Sequence, residues 1–406
     1  MSTPRTRRRA ESRLRVRRQR RRASLLLLVV IVAAVIAAKG GGSSHRGHSA
    51  SARHAPAVVP GGPLAPASVG GLASLWAPQN VVAPQPGTAA AYETASRVPG
   101  PAGYILVADR GNNRVVVVNP QKQVVFLYPT PEDLSRGRRL VYNDDTFVVP
   151  GGQALIANEE DNHAVVQMNL ADHSLQVLFG HPGEAGSDNA HLRTPDDAYA
   201  LPDGSFTVAD AYNCRILFVR AGRVVRRYGQ SGMCVHNPPR YFGAVNGDTP
   251  VPGGGIMASE ITGSWIDEIG PDGRLVFAIR APVSYPSDPQ PLPGGRILLT
   301  DYANPGAVLI IDDQGRLLWR FRRLQGYGRL DHPSLAMALP NGNIAVNDDY
   351  RHRVVVIDPR VNAIVWQYGH TDNPGTAPGF LNIPDGMDFV PAGPRGGPDY
   401  AAVVHP

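Results

Sequence analysis

Residues 104–118 read YILVADRGNNRVVVV: an apolar strand, a polar turn and a second β-branched strand in immediate succession. Val, Ile and Tyr suit a pleated, half-buried surface, and Gly and Asn tolerate the positive φ of a tight turn, so the stretch predicts a β-hairpin. Further copies are SFTVADAYNCRILFV (205–219), RILLTDYANPGAVLII (296–311) and NIAVNDDYRHRVVVI (343–357). Looser ones are QALIANEEDNHAVVQM (153–168) and GIMASEITGSWIDEI (255–269). An interval of about forty to fifty residues is the period of a propeller blade or a similar array.

Working outward, the third copy shows a whole unit: DAYAL, FTVAD, RILFVR and RVVRRY are four short strands, with Pro202-Asp203-Gly204 turning the first into the second. The turn recurs at Pro150, Pro252, Pro293 and Pro340, each followed by Gly at the second position after it. Four strands per unit, with no amphipathic helical stretch between them, predict an all-β propeller rather than a helical solenoid. The lead-in IPDGMDFVP (383–391) and YAAVV (400–404) open a unit that the C-terminus does not finish, and LASLWAP (72–78) reads as a detached outermost strand. Their pairing would close the ring with strands from both ends and leave no free sheet edge. A choice of six or seven blades follows, and counting AAAYET (89–94) as a first strand favours seven.

Of 40 basic and 34 acidic residues, eleven Arg and one Glu lie in residues 1–22, leaving 29 basic and 33 acidic in the remainder. A slightly acidic folded part excludes a basic nucleic-acid-binding face, and nucleic acid is not expected as a partner. The basic segment 1–22 precedes an uninterrupted apolar run, 23–38, which predicts a transmembrane signal-anchor with the arginines in the cytoplasm and the propeller outside. Cleavage near Ala37 or Ala38 would give a secreted protein instead. Residues 39–70 form a flexible Gly/Ser/Ala/Pro linker, and 71–406 carry the propeller. Outside the cytoplasm the two cysteines, Cys214 in a hairpin turn and Cys234 in the following inter-blade loop, are expected to form a disulfide.

The hairpins VADRGNNRVVVV, VADAYNCRILFV and VNDDYRHRVVVI resemble the NHL-repeat family of β-propellers, whose units place an Asp, an Asn and an Arg-led strand in this arrangement. A weaker likeness, in HPSLAMALPNGNIAVNDD and RLLWRFR, is to arylsulfotransferase and quinoprotein-like propellers. The resemblance implies the fold; such propellers include protein binders, RNA binders, ligand sensors and lyases, so function must come from the site.

In a propeller the hairpin turns and the inter-blade loops share one face around the central channel. That face collects Asp144, Asp145, Asp196, Asp197, Asp248, Asp288, Asp385 and Asp388 from the lead-in segments. Recurring acids such as Asp109, with Asn112 and Arg114 beside it, read as structural joinery. Asp144, Asp145, Asp196, Asp197, Asp288 and Asp385 are the candidate binding residues, and Asp144, Asp196, Asp197 and Asp385 could converge on Ca²⁺, which takes six to eight oxygen ligands. His191 and His332 are candidate catalytic residues if they meet across the channel mouth. Trp265, Trp319 and Trp366 fall on strands and are expected to pack blades. The expected function is binding of an extracytoplasmic ligand or protein on the acidic face; the alternative is an exported lyase or sulfotransferase-like enzyme. The copies differ in Cys214, in the Glu159-Glu160-Asp161 run, and in Glu260 and Trp265, and function is expected in these departures.

Overall fold

The computed structural model describes residues 100–405. The segments 1–22, 23–38 and 39–70 and the expected strands 72–78 and 89–94 lie outside the described residues. Among the described residues no helix is long and apolar enough to cross a membrane.

Six antiparallel sheets of four strands form a closed ring. In chain order, innermost strand first, blade two is Asn143–Val148, Ala154–Glu159, Ala164–Asn169 and Leu175–Gly180. Blade three is Pro195–Asp197, Phe206–Asp210, Arg215–Arg220 and Arg223–Gly229, and blade four is Val245–Val251, Gly255–Glu260, Trp265–Ile269 and Leu275–Arg280. Blade five is Pro286–Leu292, Arg296–Asp301, Ala307–Asp312 and Leu317–Phe321, and blade six is Ala336–Ala338, Ile344–Asp348, Arg353–Asp358 and Ala363–Gly369. Blade one joins Tyr104–Asp109, Arg114–Val118 and Val124–Tyr128 to an innermost strand from the other end of the chain, Pro384–Val390. Innermost strands of neighbouring blades contact one another from blade one through blade six, and the ring closes where Pro384–Val390 meets Ile344–Asp348, the second strand of blade six.

The ring therefore has six blades, not seven. Pro384–Val390 opens no new unit, because it pairs with Tyr104–Asp109 and completes blade one, Leu106 facing Asp388 and Tyr104 facing Val390. Residues 400–402 form a single 3₁₀ turn rather than a second strand. Closure by strands from opposite ends holds in form, and the sheet edges that remain are short and face the channel or the rim.

The repeated polar turn is joinery. In four blades the second strand ends in a carboxylate, a 3₁₀ turn follows, and a left-handed residue (Asn113, His163, Cys214 or His352) sets the third strand in register. In every blade that carboxylate accepts a hydrogen bond from a backbone N–H of the loop leading into the same blade's innermost strand. The donors are Asn382 to Asp109, Val141 to Glu159, Arg193 to Asp210, Gly243 to Glu260, Ser284 to Asp301 and Asp331 to Asp348. Where the third strand begins with Arg, its Nε donates to that carboxylate and its other nitrogens reach carbonyls of the incoming inter-blade loop. The recurring motif thus ties loop to hairpin, a backbone-satisfying role that explains why it repeats. Apolar faces of adjacent blades pack between sheets, with Val107, Val116, Phe147, Ile156, Val208 and Leu217 in one continuous core. Trp319 and Trp366 are buried within blades, and Trp366 Nε1 donates to Pro120 O across the closing seam.

Cys214 and Cys234 form the expected disulfide. It fastens the loop between blades three and four to the hairpin of blade three across a separation of 20 residues. On chain-entropy grounds a loop of that length is worth about 3 kcal/mol. The Cys214→Ala/Cys234→Ala protein should lose roughly that much in urea denaturation, and an unchanged midpoint would mean the loop is held by its other contacts.

Candidate functional site

The innermost strands carry NDD, PDD, VNGD, PSD and PDGMD, so short acidic segments from five blades line one channel. Asp144, Asp145, Asp197, Asp248, Asp288, Asp385 and Asp388 are all buried. They face one another: Asp145 senses Asp288, Asp197 and Asp385, while Asp196 senses Glu160, Asp288 and Asp385. Two glycines allow this crowding. A Cβ on Gly386 would strike Asp145, and one on Gly247 would stand 2.8 Å from Asp288 Oδ1. Small side chains here let neighbouring innermost strands approach closely while their carboxylates share the channel.

Burial first, and the facing carboxylates next, raise the pKa of Asp145, Asp196, Asp197, Asp288 and Asp349 well above the usual carboxylate range. Among the described residues, Arg110 is the Arg or Lys side chain paired with this group. Its Nη1 lies 2.6 Å from Asp385 Oδ2 and 3.1 Å from Asp144 Oδ1, and its Nη2 pairs with Glu160. Burial opposes its charge, but Asp144, Asp385 and Glu160 outweigh that and raise its pKa. Burial would also raise Asp385, yet Arg110 beside it leaves that carboxyl below its ordinary value. Asp145, Asp288 and Asp349 have no such cation among the described residues: Asp145 Oδ1, Asp288 Oδ1 and Asp349 Oδ2 are buried and accept no hydrogen bond. Buried acceptors of this kind are costly to leave unmade.

The mouth is walled by tyrosines. Tyr285 lies 5.1 Å from Tyr302, and His332 packs edge-on between Tyr302 and Tyr350, at 4.9 and 4.8 Å between ring centres. Tyr212, in the hairpin turn of blade three, is near enough to Tyr285 to act on its phenol and is 57% exposed. Burial first, then the carboxylates, raises all four phenols, with Glu160 and Asp196 acting on both Tyr212 and Tyr285. Arg110, Glu160, Tyr302 and Asp349 occupy the same place in their blades, directly after the second strand's structural carboxylate. That variable position faces the channel, so the hairpin contributes one fixed residue for folding and one free residue for the site. The sequence carries this signal only once the copies are aligned and the fixed Asp is set aside.

At the far end of the channel, His405 Nε2 is 2.9 Å from Asp388 Oδ2, and the ring packs against Phe147 and Tyr199. The two candidate histidines do not meet. His191 pairs with Asp188 and stacks on His181, whereas His332 pairs with Asp331 at 2.7 Å on the tyrosine wall. Asp144 and Asp385 are bridged by the Arg110 guanidinium, and Asp196 accepts from Asn246. Among the described residues, the His, Cys, Asp and Glu ligand atoms that gather as three within 4.8 Å are those of His236, Glu260 and Asp267, outside the channel.

No protein-family profile matches the chain, and no match is found among curated protein sequences. Among solved structures it is similar to a protein of unknown function from Bacteroides caccae, at 18% identity and a TM-score of 0.49, covering 71% of this chain and 98% of that one. It is also similar to virginiamycin B lyase from Staphylococcus aureus (18% identity, TM-score 0.38, 53% and 66% covered). A third likeness is to a chain of the nidogen/laminin complex (11% identity, TM-score 0.45, 65% and 92% covered). These likenesses concern the fold, and none assigns a residue or an activity to this chain.

Proposed function

We propose that this chain is an extracytoplasmic propeller, held to the membrane by residues 23–38, that binds a cationic organic ligand, an amine or quaternary ammonium group, at its acidic channel mouth. The observation that carries the reading is the set of buried carboxylate oxygens without partners, on Asp145, Asp288 and Asp349, beneath a wall of tyrosine rings. Aromatic faces and desolvated carboxylates attract a cation together, by about 2 kcal/mol or more per well-placed ring when water is excluded. A Ca²⁺ ion would draw several oxygens to within about 2.5 Å of one point. The channel acids are instead spread around the ring, an arrangement suited to a larger and more diffuse charge. The repeated Asp-Asn-Arg hairpin supports kinship with NHL-type propellers, and eleven arginines ahead of an apolar run support the anchor and its orientation.

The test is a thermal-shift and calorimetric panel of choline, spermidine and an N-terminal peptide amine against Ca²⁺ and EDTA. At least one amine should raise the melting temperature, Asp145→Asn/Asp288→Asn should abolish that rise, and Ca²⁺ and EDTA should leave the wild type unmoved. A shift equal in the double variant, or none with any amine, would overturn the reading.

The Asp331–His332 pair on the tyrosine wall favours one second reading, an exported lyase or sulfotransferase-like enzyme with His332 as general base. Under this second reading His332→Ala abolishes turnover with the fold intact, and absence of any turnover in the wild type would leave the first reading.

A further inference from the structure

Blade four departs from the other blades at positions the channel does not use. Its second strand ends in Glu260, but where three copies place Arg114, Arg215 and Arg353 opposite that carboxylate, it places Trp265. Two residues on, where the other five blades bury Val116, Val166, Leu217, Leu309 and Val355, it places Asp267. One substitution removes the cation and the other adds a second buried acid. Glu260 and Asp267 are both 0% exposed, and neither oxygen of Asp267 accepts a hydrogen bond. A carboxylate in that position is expensive to bury unless a cation accompanies it.

The third member comes from the disulfide-fastened loop. His236, two residues after Cys234, brings Nδ1 to 2.9 Å from Glu260 Oε1 and 4.0 Å from Asp267 Oδ2. Its ring lies flat on Trp265, with centres 3.8 Å apart and an angle of 2° between planes, and Arg280 covers Trp265 at 4.6 Å. The residue that replaces the usual Arg thus orients the imidazole. Glu260 Oε2 is held by the Gly243 N–H at 2.5 Å, which leaves Oε1 directed at His236. Ligand atoms around a tetrahedral Zn²⁺ lie about 3.4 Å apart, and the spacings in this triad bracket that value.

We propose that His236, Glu260 and Asp267 form a binding site for a divalent transition-metal ion of the zinc class, which clamps the loop between blades three and four onto blade four. One imidazole and two carboxylates suit such an ion in ligand type and cancel its charge, and the partly exposed His236 edge leaves a position for water. The loop is then fastened to blade three by the disulfide and to blade four by the metal.

Calorimetric titration of the EDTA-stripped folded protein with Zn²⁺ tests the assignment. One ion should bind, and His236→Ala and Asp267→Val should each weaken it by at least about tenfold. Asp145→Asn, in the channel, should leave the affinity unchanged. Asp267→Val restores the apolar residue type of the other blades, so its fold is retained and its melting temperature without metal should equal or exceed that of the wild type. Failure of the wild type to bind Zn²⁺ overturns the proposal, as does undiminished binding in both blade-four variants or loss of binding in Asp145→Asn alone.

Discussion

Arg215→Met is expected to lower the free energy of unfolding by about 3 to 5 kcal/mol, the range for removing one partner of a buried ion pair. Arg215 is fully buried, with Nε 2.7 Å from the equally buried Asp210, and its remaining nitrogens donate to Ser187 O, Asp188 O, His191 O and Ser231 Oγ. Met fills much of the volume but supplies none of the donors. Asp210 would keep a backbone N–H from Arg193 and the Asn213 amide, yet it would lose its only opposite charge while three loop carbonyls lose a donor. In blade one the equivalent Arg114 side chain is 16% exposed, so Arg114→Met should cost less because water reaches the vacated groups. Urea denaturation of both variants checks the order. Combining Arg215→Met with Asp210→Asn should recover part of the loss, and a loss below about 1 kcal/mol in the single variant would show that the loop is not held by the guanidinium.

The ligand-free propeller should be less stable at pH 8 than at pH 5. Burial first, and facing carboxylates second, raise Asp145, Asp196, Asp197, Asp288 and Asp349 in the folded state. Between the ordinary carboxylate pKa near 4 and those raised values, the folded state holds more protons than the unfolded chain. Stability is then greatest at low pH and falls as pH rises, by about 4 kcal/mol across three pH units for each net proton. His405, whose burial is outweighed by Asp388 so that its pKa rises, acts in the same direction. His352, lowered chiefly by burial, opposes it as a single group. Asp133 and Asp188, which titrate below their ordinary range, matter only below about pH 4 and leave this window untouched. Arg110, shared among Asp385, Asp144 and Glu160, brings Asp385 below its ordinary value but leaves Asp144 raised by burial. Asp145→Asn/Asp288→Asn should flatten the slope, and a bound amine should raise stability most at pH 8. A stability that is level or climbing from pH 5 to pH 8 would mean that the channel acids are already ionised and compensated.

Some of the site was legible in residues 104–118 and their copies, and the reason is physical. The Asp or Glu that closes each second strand recurs because six incoming loops each present a backbone N–H that needs an acceptor. Repetition marked it as structure. The acids of the lead-in segments were legible as a rim because those segments start the innermost strands. Arg110, Tyr285 and Tyr302 were not, since an Arg or Tyr beside a turn has the same local sequence whether it faces solvent or a channel. His236 was hidden for the opposite reason: it lies in a loop without periodicity, and its partners Glu260 and Asp267 belong to another blade.

By itself the sequence determined the hairpin, its four-stranded unit, the turn chemistry between strands, the disulfide and the location of the acidic segments. These are decided by local periodicity and by residue types that suit particular backbone conformations, and both are written along the chain. Only the tertiary structure decided that the ring has six blades, because whether Pro384–Val390 opens a unit or completes one depends on its pairing with Tyr104–Asp109, more than 270 residues away. Closure in turn set which carboxylates face each other, which of them Arg110 neutralises, and which remain buried without a partner. Charge separation across a channel is a property of the closed ring, and no window along the sequence contains it.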